Sequence, residues 1–74
     1  MDKQEPFKNF FEKFVPGTLI KMFSGDVQNV YLFTGMKGGW YVLKHTESKN
    51  EYTVTSADVL KYYNNSGLYT FYFP

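Results

Sequence analysis

The sequence predicts a mainly β domain: a small five-stranded antiparallel barrel, preceded by a short amphipathic α-helix and carrying a one-turn helix before its last strand. Three observations predict it. The chain has 74 residues, enough for one core and one domain, and a chain of that size buries roughly 60% of its unfolded surface on folding. Its apolar residues fall in short runs separated by Gly, Asn, Asp and Ser, the punctuation of strands and tight turns. Eight Phe, seven Tyr and one Trp supply the core, each worth about 150–250 Å² of buried surface. The densest run, Gly38-Gly39-Trp40-Tyr41-Val42-Leu43-Lys44, reads as the central strand, with a glycine pair feeding residue types that favour a pleated, largely buried surface.

Residues 1–16 form the helical segment and residues 17–74 the barrel. Met1 to Glu5 is polar. Pro6 suits the first turn of a helix, where its missing N–H is no loss, and Phe7, Phe10, Phe11 and Phe14 follow at i, i+3, i+4 and i+7 on one face. Pro16-Gly17 ends the helix, because the residue before a proline avoids helical angles. About ten residues do not hold as an isolated helix, so the four phenylalanines must dock. Two destinations stand open: the domain's own barrel, or a partner's groove or membrane surface.

Thr18 to Phe23 is the expected first strand, closed by Ser24-Gly25-Asp26, and Val27 to Thr34 the second. Gly35-Met36-Lys37-Gly38-Gly39 links it to Trp40–His45. The polar stretch 46–50 leads into Glu51 to Thr55, where Tyr52 and Val54 alternate with polar residues. Ser56 opens a short helix through Tyr63 as its capping residue, Asn64-Asn65-Ser66-Gly67 stops it, and Leu68 to Phe73 is the fifth strand. Strands two, three and five carry large apolar residues on both faces. One barrel has one inside, so the surplus points to a contact surface, most simply that of a homodimer.

Five short strands with a one-turn helix before the fifth resemble the Src-homology-3-type small barrel, a layout shared by tudor-like and Sm-like modules. The resemblance covers residues 18 to 73 and rests on element order and on Trp40-Tyr41, similar to the paired aromatics of that family's third strand. The acidic, tyrosine-bearing first-loop motif of a proline-peptide binder is missing between Ser24 and Gln28. The resemblance therefore implies a fold and no residue-by-residue function.

Composition narrows the chemistry. There is no cysteine, hence no disulfide framework, thiolate metal site or cysteine nucleophile. No signal-peptide pattern and no membrane-length apolar run is present, so a cytoplasmic location is expected, that of the host if the protein is viral. Net charge is +1, and all eight cations are lysines, which removes the bidentate arginine fork that reads phosphates and guanine edges. His45 is the single histidine, and no spaced carboxylates accompany it to complete a metal site. Asp26 and Asp58 fall where carboxylates bond local backbone rather than act as an acid–base pair. With no nucleophile elbow or cofactor fingerprint, the sequence argues for no enzyme, cofactor or metal.

What remains is binding. The expected function is a non-enzymatic interaction module with a protein partner, comparable in size and style to accessory proteins with which phages and mobile elements inhibit host machinery. Its expected surface centres on Trp40 and Tyr41, with Tyr31, Tyr52, Lys37, Lys44, Gly38 and Gly39 around them and the Phe7, Phe10, Phe11 and Phe14 helix as a second contact. Two alternatives use the same residues. A nucleotide-like ligand would stack on an aromatic while Lys37 and the Gly35–Gly39 amides grip its phosphate. Single-stranded nucleic acid would stack on the rings beside the lysines.

Overall fold

The computed structural model describes the backbone of residues 5–74 and the side chains from Asn9 onward. Its five strands are β1 (Leu19–Ser24), β2 (Val27–Lys37), β3 (Trp40–His45), β4 (Glu51–Val54) and β5 (Tyr69–Tyr72), with helices α1 (Glu5–Lys13) and α2 (Ser56–Tyr63). All strands are antiparallel and lie in one sheet in the order β4-β3-β2-β1-β5. Among the described residues β4 pairs only with β3 and β5 only with β1, so hydrogen bonding leaves the sheet open where a barrel would close. The physical reason is α2. Over Ser56–Tyr63, two turns rather than one, it links β4 to β5 and packs on β5, with Val59 fully buried and Tyr62 stacked on Tyr69 at 4.7 Å between centroids.

Local chemistry sets each connection. The β1–β2 turn has two residues, Gly25 and Asp26, with φ +60° at the glycine. The β2–β3 turn is Gly38-Gly39 at φ +58° and +86°, the pair of positive angles that a two-residue type I′ hairpin needs. The five-residue linker expected from Gly35 is therefore absent. β2 continues through Gly35, Met36 and Lys37 in register with β3, after a bulge between Phe33 and Gly35. Helix α2 is capped one residue earlier than expected: Thr55 Oγ1 accepts from the Asp58 amide, and Asp58 Oδ2 accepts from the Thr55 amide, both at 3.1 Å.

One face of the sheet carries the core. Ile20, Phe33 and Leu43 from the strands meet Phe10 and Phe14 from the α1 segment and Val59 from α2. Phe14 stacks on Phe33 at 4.3 Å with the rings almost parallel, and Phe10 meets Phe71 edge-on at 5.5 Å. Thr18 fixes the helix-to-strand junction. It is fully buried, its hydroxyl donates to the Val15 carbonyl at 2.7 Å, and its own carbonyl accepts from the Phe33 amide at 2.9 Å. The opposite face is the side onto which neither helix packs. Leu19, Lys21, Val30, Leu32, Val42 and Lys44 are half-buried there, while Phe23, Trp40 and Tyr72 are exposed.

Candidate functional site

The concave face has two ends. Phenylalanines and α1 fill one end. At the other, in the seam between β4 on one side and β5 with α2 on the other, lies a cavity of about 250 Å³. Ile20 and Leu43 form part of its floor, and Tyr31, Tyr52, Tyr62 and Tyr69 form much of its wall. Register explains why these tyrosines converge. Tyr31 lies opposite Ile20, Leu43 opposite Tyr52, and Tyr69 opposite Met22, so strand after strand presents the same face at this level. Tyr31 meets Tyr52 edge-on at 6.0 Å, and Tyr62 and Tyr69 stack as a second pair.

His45 supports this wall from behind. Its ring lies edge-on to Tyr31 at 5.2 Å, and its Nδ1 accepts from the Ser48 amide at 3.0 Å. That bond leaves Nε2 as the protonated nitrogen, donating to Asn29 Oδ1 at 2.8 Å. The histidine thus ties β2 to the β3–β4 loop and holds an aromatic edge in place. Burial pushes the Tyr31 phenol upward in pKa, with Tyr52 and Tyr69 adding to the shift. Burial also raises Tyr62, followed by the charge of Asp58 and then by Tyr69 and Tyr31. Both hydroxyls stay protonated through neutral pH and can donate. Among the described residues no lysine lines the cavity. It offers apolar walls, ring edges and neutral hydroxyls.

The residues singled out from the sequence fall into three places. Tyr31 and Tyr52 line the cavity. Tyr41 shares that sheet face but sits at the phenylalanine end, 5.5 Å from both Phe14 and Phe33 and 6.2 Å from Phe11. Trp40 and Lys44 lie on the outer face, and Lys37 pairs with Trp40 across the Gly38-Gly39 turn. A single patch centred on Trp40 and Tyr41 does not form, because neighbours along a strand point to opposite faces. The phosphate cradle also loses its loop, since Gly35 and Lys37 belong to β2. Phe10 and Phe14 are 2% and 4% exposed, so they belong to this chain's own core, with Phe11 packed beside them. Phe7's side chain lies outside the described residues. Sequence reasoning missed Tyr62 and Tyr69, which lie seven residues apart across a turn. They meet only because α2, over the Ser56–Tyr63 span that the sequence marks out, packs against β5.

Among the described residues no cluster of His, Asp and Glu could hold a metal, and no helix is long and apolar enough to cross a membrane. In comparisons with protein-family models, with curated proteins and with solved structures, nothing matches this chain.

Proposed function

We propose that this chain is a non-enzymatic binding module whose seam cavity receives one apolar, ring-bearing side chain of a protein partner. The carrying observation is the cavity itself. Its volume of about 250 Å³ falls below the roughly 300–1,000 Å³ typical of small-molecule sites, which favours a single anchoring side chain over a whole nucleotide. Its walls favour the same choice. Aromatic rings with hydroxyl tips supply contact area at little entropy cost, and among the described residues no cation lines the cavity to neutralise a phosphate. In this reading the fold is an opened Src-homology-3-type barrel in which α2 holds the seam apart. The module acts by occupation, as a blocker of a host protein's surface.

The test compares two exposed aromatics on opposite faces. Tyr52 and Trp40 are 46% and 48% exposed, so either can be truncated without emptying the core. A photo-crosslinker near the seam identifies the bound protein, and Tyr52→Ala should abolish its capture while Trp40→Ala leaves it intact. The opposite result moves the site to the outer face.

Single-stranded nucleic acid has one specific observation in its favour. Lys21 Nζ lies 5.7 Å from the Phe23 ring centroid and 5.8 Å from that of Tyr72, a cation between two exposed rings on the outer face. Binding there would weaken steeply with salt and would depend on Tyr72 but not on Tyr52.

A further inference from the structure

β5 is an edge strand, and the hydrogen-bond parity of its ladder identifies which of its backbone groups are free. The Phe23 amide donates to the Leu68 carbonyl, so that pair is hydrogen-bonded. Alternation along the antiparallel ladder then makes Lys21–Thr70 and Leu19–Tyr72 hydrogen-bonded as well. Residues 68, 70 and 72 therefore address β1, and residues 69, 71 and 73 turn their N–H and C=O outward. The Tyr69 amide already bonds the Asn65 carbonyl at 2.9 Å. Among the described residues, the outward N–H and C=O of Phe71 and Phe73 have no backbone partner.

These groups open beside a groove of about 290 Å³ lined by Tyr63, Ser66, Tyr69, Thr70, Phe71 and Phe73. Exposed apolar side chains gather around it, with Tyr72 49%, Leu68 46% and Tyr63 39% accessible. β5 is short and α2 packs against it, but the charges, proline and bulge that commonly guard an edge are missing. β5 has no lysine, no internal proline and no bulge against β1, and Asn64 through Pro74 carries no charged side chain. The other edge differs, because β4 begins at the exposed Glu51, two residues after Lys49. An uncharged, β-prone strand pairs with its own copy without like-charge repulsion, and a two-fold arrangement closes after two chains.

We propose that β5 pairs antiparallel with β5 of a second copy, with the two-fold axis beside Tyr72, so that Tyr72 lies opposite Tyr72 of the other chain. This register sets Phe71 against Phe73 in both directions and gives every free N–H and C=O of those residues a partner. An axis beside Phe71 would instead require the Tyr69 amide, which is already engaged. The chosen register also brings the two tyrosines together at the close, non-hydrogen-bonded spacing, about 4.5 Å between Cα atoms, where aromatic pairs stabilise a ladder.

The experiment uses the full chain and three measurements. Sedimentation over a concentration series should approach twice the 8.7 kDa chain mass. Amide exchange at Phe71 and Phe73 should slow as concentration rises, while the Lys21 and Leu32 amides inside the sheet stay unchanged. Tyr72→Glu should leave the thermal transition near that of the wild-type monomer, since the new carboxylate meets Lys21, and should weaken dimerisation at least about tenfold by setting two carboxylates opposite each other. The proposal is overturned by a wild-type chain that stays monomeric at millimolar concentration, or by one whose mass passes beyond two chains, as edge pairing of β5 with β4 would give. A dimer whose Phe71 and Phe73 amides exchange freely also overturns it, whatever Tyr72→Glu does.

Discussion

The two ends of the concave face are built from the same strands and differ in one atom type. Where the α1 segment covers the sheet, the rings are mostly phenylalanines: Phe10, Phe14, Phe33 and Phe71 pack at centroid distances of 4.3 to 5.9 Å, and the first three are almost inaccessible. Where α2 leaves the seam open, the rings are tyrosines. A phenol keeps its apolar body against the sheet and its oxygen towards solvent, so it can wall a cavity that a phenylalanine would tend to collapse or expose. The contrast separates a region that holds the fold together from one available to bind.

The largest effect should come from breaking the covered end. Phe10 is 2% exposed and meets Phe11, Phe14, Tyr63, Phe71 and Phe73. Removing a buried phenylalanine side chain costs about 3–5 kcal/mol. Stability of about 0.05–0.15 kcal/mol per residue gives a chain of this length on the order of 4–11 kcal/mol. Phe10→Ala should therefore remove a large share of the chain's stability and lower its melting temperature sharply by circular dichroism, whereas Tyr52→Ala at the open end should shift the denaturation midpoint only slightly. Equal losses at the two sites would end the distinction between scaffold and site.

The covered end was legible in the sequence and the open end was not. The i, i+3, i+4, i+7 spacing of Phe7, Phe10, Phe11 and Phe14 states an apolar helical face, and two phenylalanines of that face are the ones found in the core. Most strand positions and the Gly25 turn followed from local chemistry of the same kind, whereas β2 runs on through the expected Gly35–Gly39 linker as far as Lys37. Closure of the sheet is a different matter, because it depends on how α2 seats against the strands, which the local pattern of Ser56–Tyr63 does not carry. The cavity, with Tyr62 and Tyr69 in its wall, follows from that long-range outcome. Trp40 drew attention by its rarity, yet alternation along β3 places it on the outer face, away from Tyr41.

A smaller perturbation should loosen the open end alone. Thr55 and Asp58 close the capping box at the start of α2, and replacing a capping threonine with alanine costs about 1 kcal/mol, within a range of roughly 0.5–2. Thr55→Ala should lower the melting temperature modestly and speed amide exchange through Val59 and Tyr62, with the Phe14 and Phe33 amides little affected. Binding at the seam should weaken by more than the stability loss implies, since Tyr62 forms part of its wall. Uniform acceleration across both ends would mean that α2 and the α1 segment unfold as one unit.

The smallest effect at neutral pH should become the most selective one in alkali. Tyr31 and Tyr62 have phenols raised above their ordinary value of 10.0, first by burial. A raised value means that the folded chain holds these protons more tightly than the unfolded chain does. Their contribution to stability is then fully present below pH 10.0 and is lost as pH rises through the folded-state values. Ionising Tyr62 would set a phenolate near Asp58, and ionising Tyr31 would set one near Tyr52 and Tyr69, with the His45 ring against its edge. Tyr62→Phe and Tyr31→Phe should each change stability by less than about 0.5 kcal/mol at neutral pH. Each should also flatten the fall in melting temperature above pH 10.0 relative to wild type, and the double variant should flatten it further. Phe10, Phe14 and Phe33 carry no proton, so the alkaline limb reports on the tyrosine end. Every other group is common to all the variants, so the difference between the curves isolates the phenols. A double variant whose alkaline limb superimposes on the wild type would show that the two phenols are as solvated in the folded chain as in the unfolded one, and the seam would then be a water-filled cleft with no dry wall to offer a partner.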